Sequence, residues 1–125
     1  MVEPRFEYKA EVVRVVDGDT LDLLISLGFQ VCIKVRVRLY GIDTPETFGV
    51  KKESEEWKAG MAAKDRVLDW IAALGNQVVI RSHDGKRLGT GKYGRWIAEV
   101  FPASGEGPSL NEELVSSGHA KLVTY

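Results

Sequence analysis

Four short stretches of the chain carry side chains able to do chemistry: Asp17-Gly18-Asp19-Thr20, Arg38, Ile42-Asp43-Thr44-Pro45-Glu46, and Lys92-Tyr93-Gly94-Arg95. Asp19 follows a glycine turn, which can leave its oxygens free at a strand edge, and Asp43, Thr44 and Glu46 lie on a segment that Pro45 stiffens. Two carboxylates and a backbone carbonyl are hard oxygen donors, suited to Ca²⁺ and poor for zinc, which takes nitrogen and sulfur. Taken singly, either aspartate reads as a turn former. Arg38 stands five residues before Asp43; its guanidinium can fork onto two oxygens of one phosphate, which lysine cannot do. Lys34 and Arg36, on the same strand face, read as solvated surface. Arg95 by itself marks only a junction between a loop and a strand.

These groups act together only if the chain brings them together. Its first forty residues read as strands. Glu11 to Val16 is β-branched and runs into the Asp17-Gly18 turn, and Leu21 to Leu27 is a second apolar run closed by Gly28. From Val31 the alternation is clean: Val31, Ile33, Val35, Val37 and Leu39 face one way, and Cys32, Lys34, Arg36, Arg38 and Tyr40 the other. If the second and third strands pair as a hairpin, Asp19 and Asp43 fall at the same end of it.

The period then changes. Trp57, Met61, Lys64, Leu68, Ile71 and Leu74 recur at three- and four-residue steps, which predicts an amphipathic helix with Lys64 at the edge of its stripe. Ser54 suits the N-cap, Glu55 and Glu56 the first turn, and Gly75 the left-handed position past the end. Gln77 to Arg81 reads as strand, His83 to Gly94 as a loop rich in glycine and lysine, and Arg95 to Phe101 as strand. Ser109-Leu110-Asn111-Glu112 is a capping box that opens a short helix ending at Gly118. Three strands, a helix, two strands and a helix is the element order of an α+β, five-stranded OB-fold barrel. The long helix falls between strands three and four, and the short one is C-terminal.

The length of 125 residues predicts a single domain over 1–125, and 44% apolar with 28% charged residues excludes a disordered chain. Seventeen basic against eighteen acidic residues leave a net charge of −1, so a nucleic-acid site has to come from a local cluster of Lys and Arg. Cys32 alone excludes an internal disulfide and a cysteine-rich metal site; in its apolar run it reads as a small buried hydrophobe. No apolar stretch is long enough to span a bilayer, and Met1 to Ala10 has no apolar signal core. A cytoplasmic protein is expected, or a secreted one whose signal has been removed. His83 reads as a loop residue and His119 as strand surface, neither at ligand spacing. Trp57 and Trp70 read as packing on the barrel, Trp96 as core or rim, and Glu53, Glu55 and Glu56 as a solvated helix start.

Taken in order, Asp17-Gly18-Asp19-Thr20, Arg38 with Asp43-Thr44-Pro45-Glu46, and Lys92-Tyr93-Gly94-Arg95 resemble the motifs of the staphylococcal nuclease (thermonuclease) family. Leu110-Asn111-Glu112-Glu113-Leu114-Val115, Gly118 and Ala120-Lys121 resemble that family too, so the likeness runs from about Val12 to Lys121. The resemblance implies that Asp19, Asp43 and the carbonyl of Thr44 bind Ca²⁺, and that Glu46 is the general base or positions the attacking water. Arg38 and Arg95 would grip the phosphate and stabilise its charge in the transition state, and Lys92 and Tyr93 would line the site of a neighbouring phosphate. It implies a calcium-dependent endonuclease that hydrolyses DNA and/or RNA and leaves 5′-hydroxyl and 3′-phosphate ends; a monomer without a membrane partner is expected.

Two departures stand out. The chain is acidic where a typical secreted member is basic, which implies weaker and more salt-sensitive affinity for the polymer. It stops at Tyr125, where the best-known members continue into a third helix, and the family's stacking aromatic aligns nearer Thr124 than Tyr125. The alternative reading is a non-catalytic OB-fold module that binds nucleic acid or protein. Such modules usually lose the acidic ligands or the arginines, whereas Asp19, Arg38, Asp43, Glu46 and Arg95 are all present here. A calcium-binding scaffold would leave Arg38 and Arg95 unexplained.

Overall fold

The structure, a computed structural model, describes residues 2–83 and 96–123. The valine- and leucine-rich opening forms three antiparallel strands, β1 (Glu7–Asp17), β2 (Thr20–Gly28) and β3 (Val31–Leu39). A short β4 (Ile42–Asp43) precedes helix α1 (Glu55–Ala73), and the chain returns as β5 (Gln77–His83) and β6 (Trp96–Pro102). It then forms α2 (Leu110–Ser116) and β7 (Lys121–Leu122). Strands β1-β2-β3-β6-β5 close into the expected OB-fold barrel, with β5 pairing back onto β1 and β6 running parallel to the end of β3. The β4–β7 pair, which two-residue strands hide from any periodicity, forms a small second sheet.

Alternation puts Leu21, Leu23 and Ile25 of β2 inside, with Val37 and Leu39 of β3, Val78 and Ile80 of β5, and Ala98 and Val100 of β6. Register shifts between Val12 and Arg14 and between Val15 and Asp17 break that alternation at the end of β1. As a result Val15, Val16 and Asp17 are buried in succession. A carboxylate is thereby turned into the protein just before the Gly18 turn.

Ser54 caps α1 as expected, its Oγ accepting from the Trp57 N–H at 3.2 Å, and Gly75 follows the helix at φ +62°. The buried face is Gly60, Ala63, Val67 and Ile71, a stripe rotated from the expected one, and Leu68 is 44% exposed. The reason is steric. A Cβ on Gly60 would lie 2.7 Å from the Pro45 carbonyl oxygen, and one on Gly18 would lie 2.9 Å from the Ala63 Cβ. The helix comes so close to two loops that only small residues fit at Gly60 and Ala63.

Three smaller expectations are corrected, those for Cys32, His83 and His119. Cys32 is exposed: it lies on the outer face of β3 opposite Ser26, near a hairpin end that carries the fully exposed Phe29. His83 ends β5, with its ring stacked on Tyr40 at 3.8 Å and its Nε2 2.9 Å from Glu99 Oε1. His119 lies between α2 and β7 and not on a strand. Trp70 packs against the core, whereas Trp96 is a rim residue, 49% exposed. Ser109 caps α2, accepting from the Glu112 N–H at 3.1 Å. Among the described residues no helix is long and apolar enough to cross a membrane.

Candidate active site

The β2–β3 hairpin sets Thr20 opposite Arg38, so the Asp17–Thr20 turn and the end of β3 share one end of the barrel. The Leu39 N–H donates to the Asp19 carbonyl at 2.9 Å, fixing that register at the site itself. The next segment, Ile42 to Glu46, is led across the same end by β4, where Asp43 pairs with Lys121 and Ile42 with Leu122. Buried Asn111 of α2 secures the neighbouring strands: its Oδ1 accepts from the Val100 N–H at 3.0 Å, and its Nδ2 donates to the Tyr40 carbonyl at 2.8 Å. Asp19 and Asp43 therefore meet, as the hairpin argument expects.

One guanidinium joins them. Arg38 Nη2 lies 3.2 Å from Asp43 Oδ1 and 3.6 Å from Asp19 Oδ2. Asp19 is buried, and its carboxylate also accepts from the Thr44 N–H at 3.3 Å and the Thr20 hydroxyl at 3.1 Å. Burial nonetheless pushes the Asp19 carboxyl above the ordinary carboxylate range, the Arg38 charge and the Thr44 N–H opposing the rise without cancelling it. Glu46 is pushed the same way, first by desolvation and then by Asp19, Asp17 and Asp43. Glu46 thus senses three other carboxylates, and Arg38 is a cation placed among them.

Hard oxygens dominate this set, which suits a calcium ion in kind. Among the described residues no three His, Cys, Asp or Glu side chains are grouped closely enough to hold a metal by themselves. A cation here would take two carboxylates and complete its shell from backbone oxygen and water, which calcium accepts. The buried Thr44 hydroxyl has no hydrogen-bond partner among the described residues.

A cleft of about 400 Å³ opens beside these groups, lined by Asp17, Asp19, Thr20, Arg36, Arg38, Glu46 and Phe48 among others. Of the expected site residues, the structure brings Asp19, Arg38, Asp43 and Thr44 into contact and places Glu46 in the cleft wall. Lys92, Tyr93 and Arg95 lie outside the described residues.

Residue reasoning missed the groups that hold the site. Asp17 Oδ1 accepts from the Gly18 N–H at 3.0 Å and the Thr47 hydroxyl at 3.1 Å, tying the first acidic turn to the loop that carries Glu46. Gly60 and Ala63 seat both loops on α1. A glycine inside a helix, costing about 1 kcal/mol against alanine, was the available signal. Arg36, set aside as surface, lines the cleft two positions from Arg38.

A closed OB-type barrel with an arginine-bridged acidic cleft at one end, backed by a helix after the third strand, defines an SNase-like OB-fold domain. The chain belongs to the staphylococcal nuclease homologue family, whose profile matches residues 36–125. It is 31% identical to Endonuclease YhcR of Bacillus subtilis over 117 residues, covering 91% of this chain and 9% of that protein. It is 29% identical over 125 residues to Micrococcal nuclease of Shigella flexneri, covering 95% of this chain and 60% of the relative. It is 27% identical over 136 residues to Uncharacterized protein MJ1439 of Methanocaldococcus jannaschii, covering 97% and 62%. The chain therefore spans less than two thirds of each of these relatives.

Proposed function

We propose that this domain is a calcium-dependent nuclease that hydrolyses phosphodiester bonds of DNA and/or RNA, leaving 5′-hydroxyl and 3′-phosphate ends. The observation that carries the reading is the contact of one arginine, Arg38, with both Asp19 and Asp43 at the mouth of a cleft that Glu46 also lines. Family membership and two relatives named as nucleases support it. Asp19, Asp43 and the carbonyl of Thr44 are the residues that would hold Ca²⁺, which when bound supplies Lewis-acid neutralisation of a phosphoryl oxygen.

The chain's own groups do the rest. Glu46, on the cleft wall and surrounded by like charge, holds its proton more tightly than an ordinary glutamate. It is thereby better matched to accept a proton from an attacking water near neutral pH. Arg38 is held at the cleft by two carboxylates through Nη2, a position from which its guanidinium would meet the equatorial phosphate oxygens. Arg95 is assigned the second guanidinium, and Lys92 and Tyr93 a neighbouring phosphate, on the family resemblance of their motif.

Digestion of single-stranded DNA with millimolar Ca²⁺, with a chelator, and with Glu46→Gln tests the reading. Cleavage that requires calcium and collapses in the variant is expected. A folded protein that cuts nothing under any metal overturns it and leaves a binding module.

A further inference from the structure

Beyond the phosphate at Arg38, the cleft carries an aromatic ring and a second guanidinium that the proposed chemistry does not use. Phe48 lies on its wall and is 61% exposed. Arg36 lies on the same outward face of β3 as Arg38, one alternation away, or about 6.8 Å at the rise of an antiparallel strand. Its Nε and Nη2 bond the Asp22 carboxylate across β2 at 2.8 and 3.3 Å, which fixes the side chain while it remains 58% exposed. Arg36 also lines the same cleft.

A ring and a fixed cation on one cleft match the two halves of a nucleotide. We propose that Phe48 and Arg36 form a subsite for an unpaired nucleotide beside the scissile phosphate: Phe48 stacks on the base and Arg36 takes the adjoining phosphate. The inference rests on the nuclease reading for what it adds to cleavage, but not for binding. Selectivity for unpaired strands follows from geometry. In a duplex each base face is covered by its neighbours and only base edges reach the grooves, so a loop-borne ring finds a free face only on an unstacked base. Stacking on a ring is indifferent to base identity, so the subsite selects strandedness and not sequence. It also places a guanidinium, its charge partly offset by Asp22, where the chain as a whole, at net charge −1, offers no general attraction.

The test uses the full chain with Phe48→Ala, Phe48→Trp and Arg36→Gln. Phe48 is exposed and Arg36 sits on the outer face, so none of the three empties the core. On a single strand and a duplex of the same sequence, Phe48→Ala should lower the single-strand-to-duplex ratio of kcat/KM about tenfold, and Phe48→Trp should restore it. Binding is read separately, by anisotropy of a labelled single-stranded oligonucleotide on a Glu46→Gln background in Ca²⁺. There Phe48→Ala should weaken the affinity about tenfold. Arg36→Gln should weaken it and reduce the slope of log K against log salt by about 0.7.

Either variant binding like its parent overturns the subsite, as does failure of the parent to bind. If the parent cuts but Phe48→Ala leaves the ratio unmoved, the subsite falls and the nuclease reading stands. If the parent binds without cutting and both variants weaken binding, the nuclease reading falls and the subsite stands.

Discussion

Arg38 touches Asp19 and Asp43 and lines the cleft, so in the proposed mechanism its removal would act on charge balance and on cleavage together. Arg38→Ala is expected to lower kcat by about 10²–10³, the usual loss for one donor to a developing anion. Lysine should recover little of this, because it cannot fork; a near-normal rate in either variant would remove Arg38 from the mechanism. Asp19 makes a different point. Folding raises its pKa, so the folded protein holds this proton more tightly than the unfolded chain. The stability that this contributes is present at acid pH and is lost as pH rises through the folded value. At neutral pH without added metal the buried charge is a cost. Asp19→Asn should therefore raise Tm by a few degrees while abolishing cleavage, with Arg38 still paired to Asp43. Thermal melts in chelator check this, and a lowered Tm would mean the Arg38 contact outweighs desolvation. Asp17→Asn keeps the Oδ1 acceptor for Gly18 and Thr47 but removes one of the charges that raise Glu46. The acid limb of the rate profile should then move to lower pH; an unmoved limb would assign it to another group.

At the scale of elements, α1 decides where the acidic segments sit. Gly60→Ala would gain about 1 kcal/mol of helix propensity on an isolated helix. Here the new methyl would meet the Pro45 and Glu46 carbonyl oxygens at 2.7 and 2.9 Å. We expect the loop to move and kcat to fall by an order of magnitude or more while far-UV circular dichroism stays helical. An unchanged kcat would show that the loop position is not critical. The barrel strands, both caps and the meeting of Asp19 with Asp43 were legible in sequence, because alternation, cap chemistry and hairpin register are local signals. The rotated face of α1 was not. Its strongest apolar stripe ran through Leu68, whereas the packing was set by how small Gly60 and Ala63 are. The placements of Cys32 and His83 were missed for a similar reason. An apolar run says nothing of where a hairpin outruns its barrel, and a glycine-rich stretch does not reveal that its first residue still stacks on Tyr40.

For the molecule as a whole, the charge of −1 offers no general attraction to a polyanion, so any attraction has to come from a local group of Lys and Arg. Cleavage of polymer should therefore weaken steeply with salt, while turnover of a short substrate at saturation should hardly change. Equal salt sensitivity in both would point to a screened catalytic contact and not a screened encounter. Cys32 sits six residues up β3 from Arg38, about 20 Å at the antiparallel rise, and its thiol is exposed. The native protein should react with a thiol reagent at once and keep its activity. A buried-thiol lag, or inactivation on labelling, would contradict the hairpin placement.

The pairing of Asp43 with Lys121 has a consequence for synthesis. Every barrel strand is complete by Pro102, yet among the described residues β4 (Ile42 and Asp43) finds its strand partner in Lys121 and Leu122, and the Val123 N–H donates to the Gly41 carbonyl. On a ribosome the barrel can assemble while the segment that carries Asp43 still lacks its clasp. If the proposed activity holds, a nascent chain that far along would be folded before its Asp43 segment is held, and cleavage would await Lys121 to Val123.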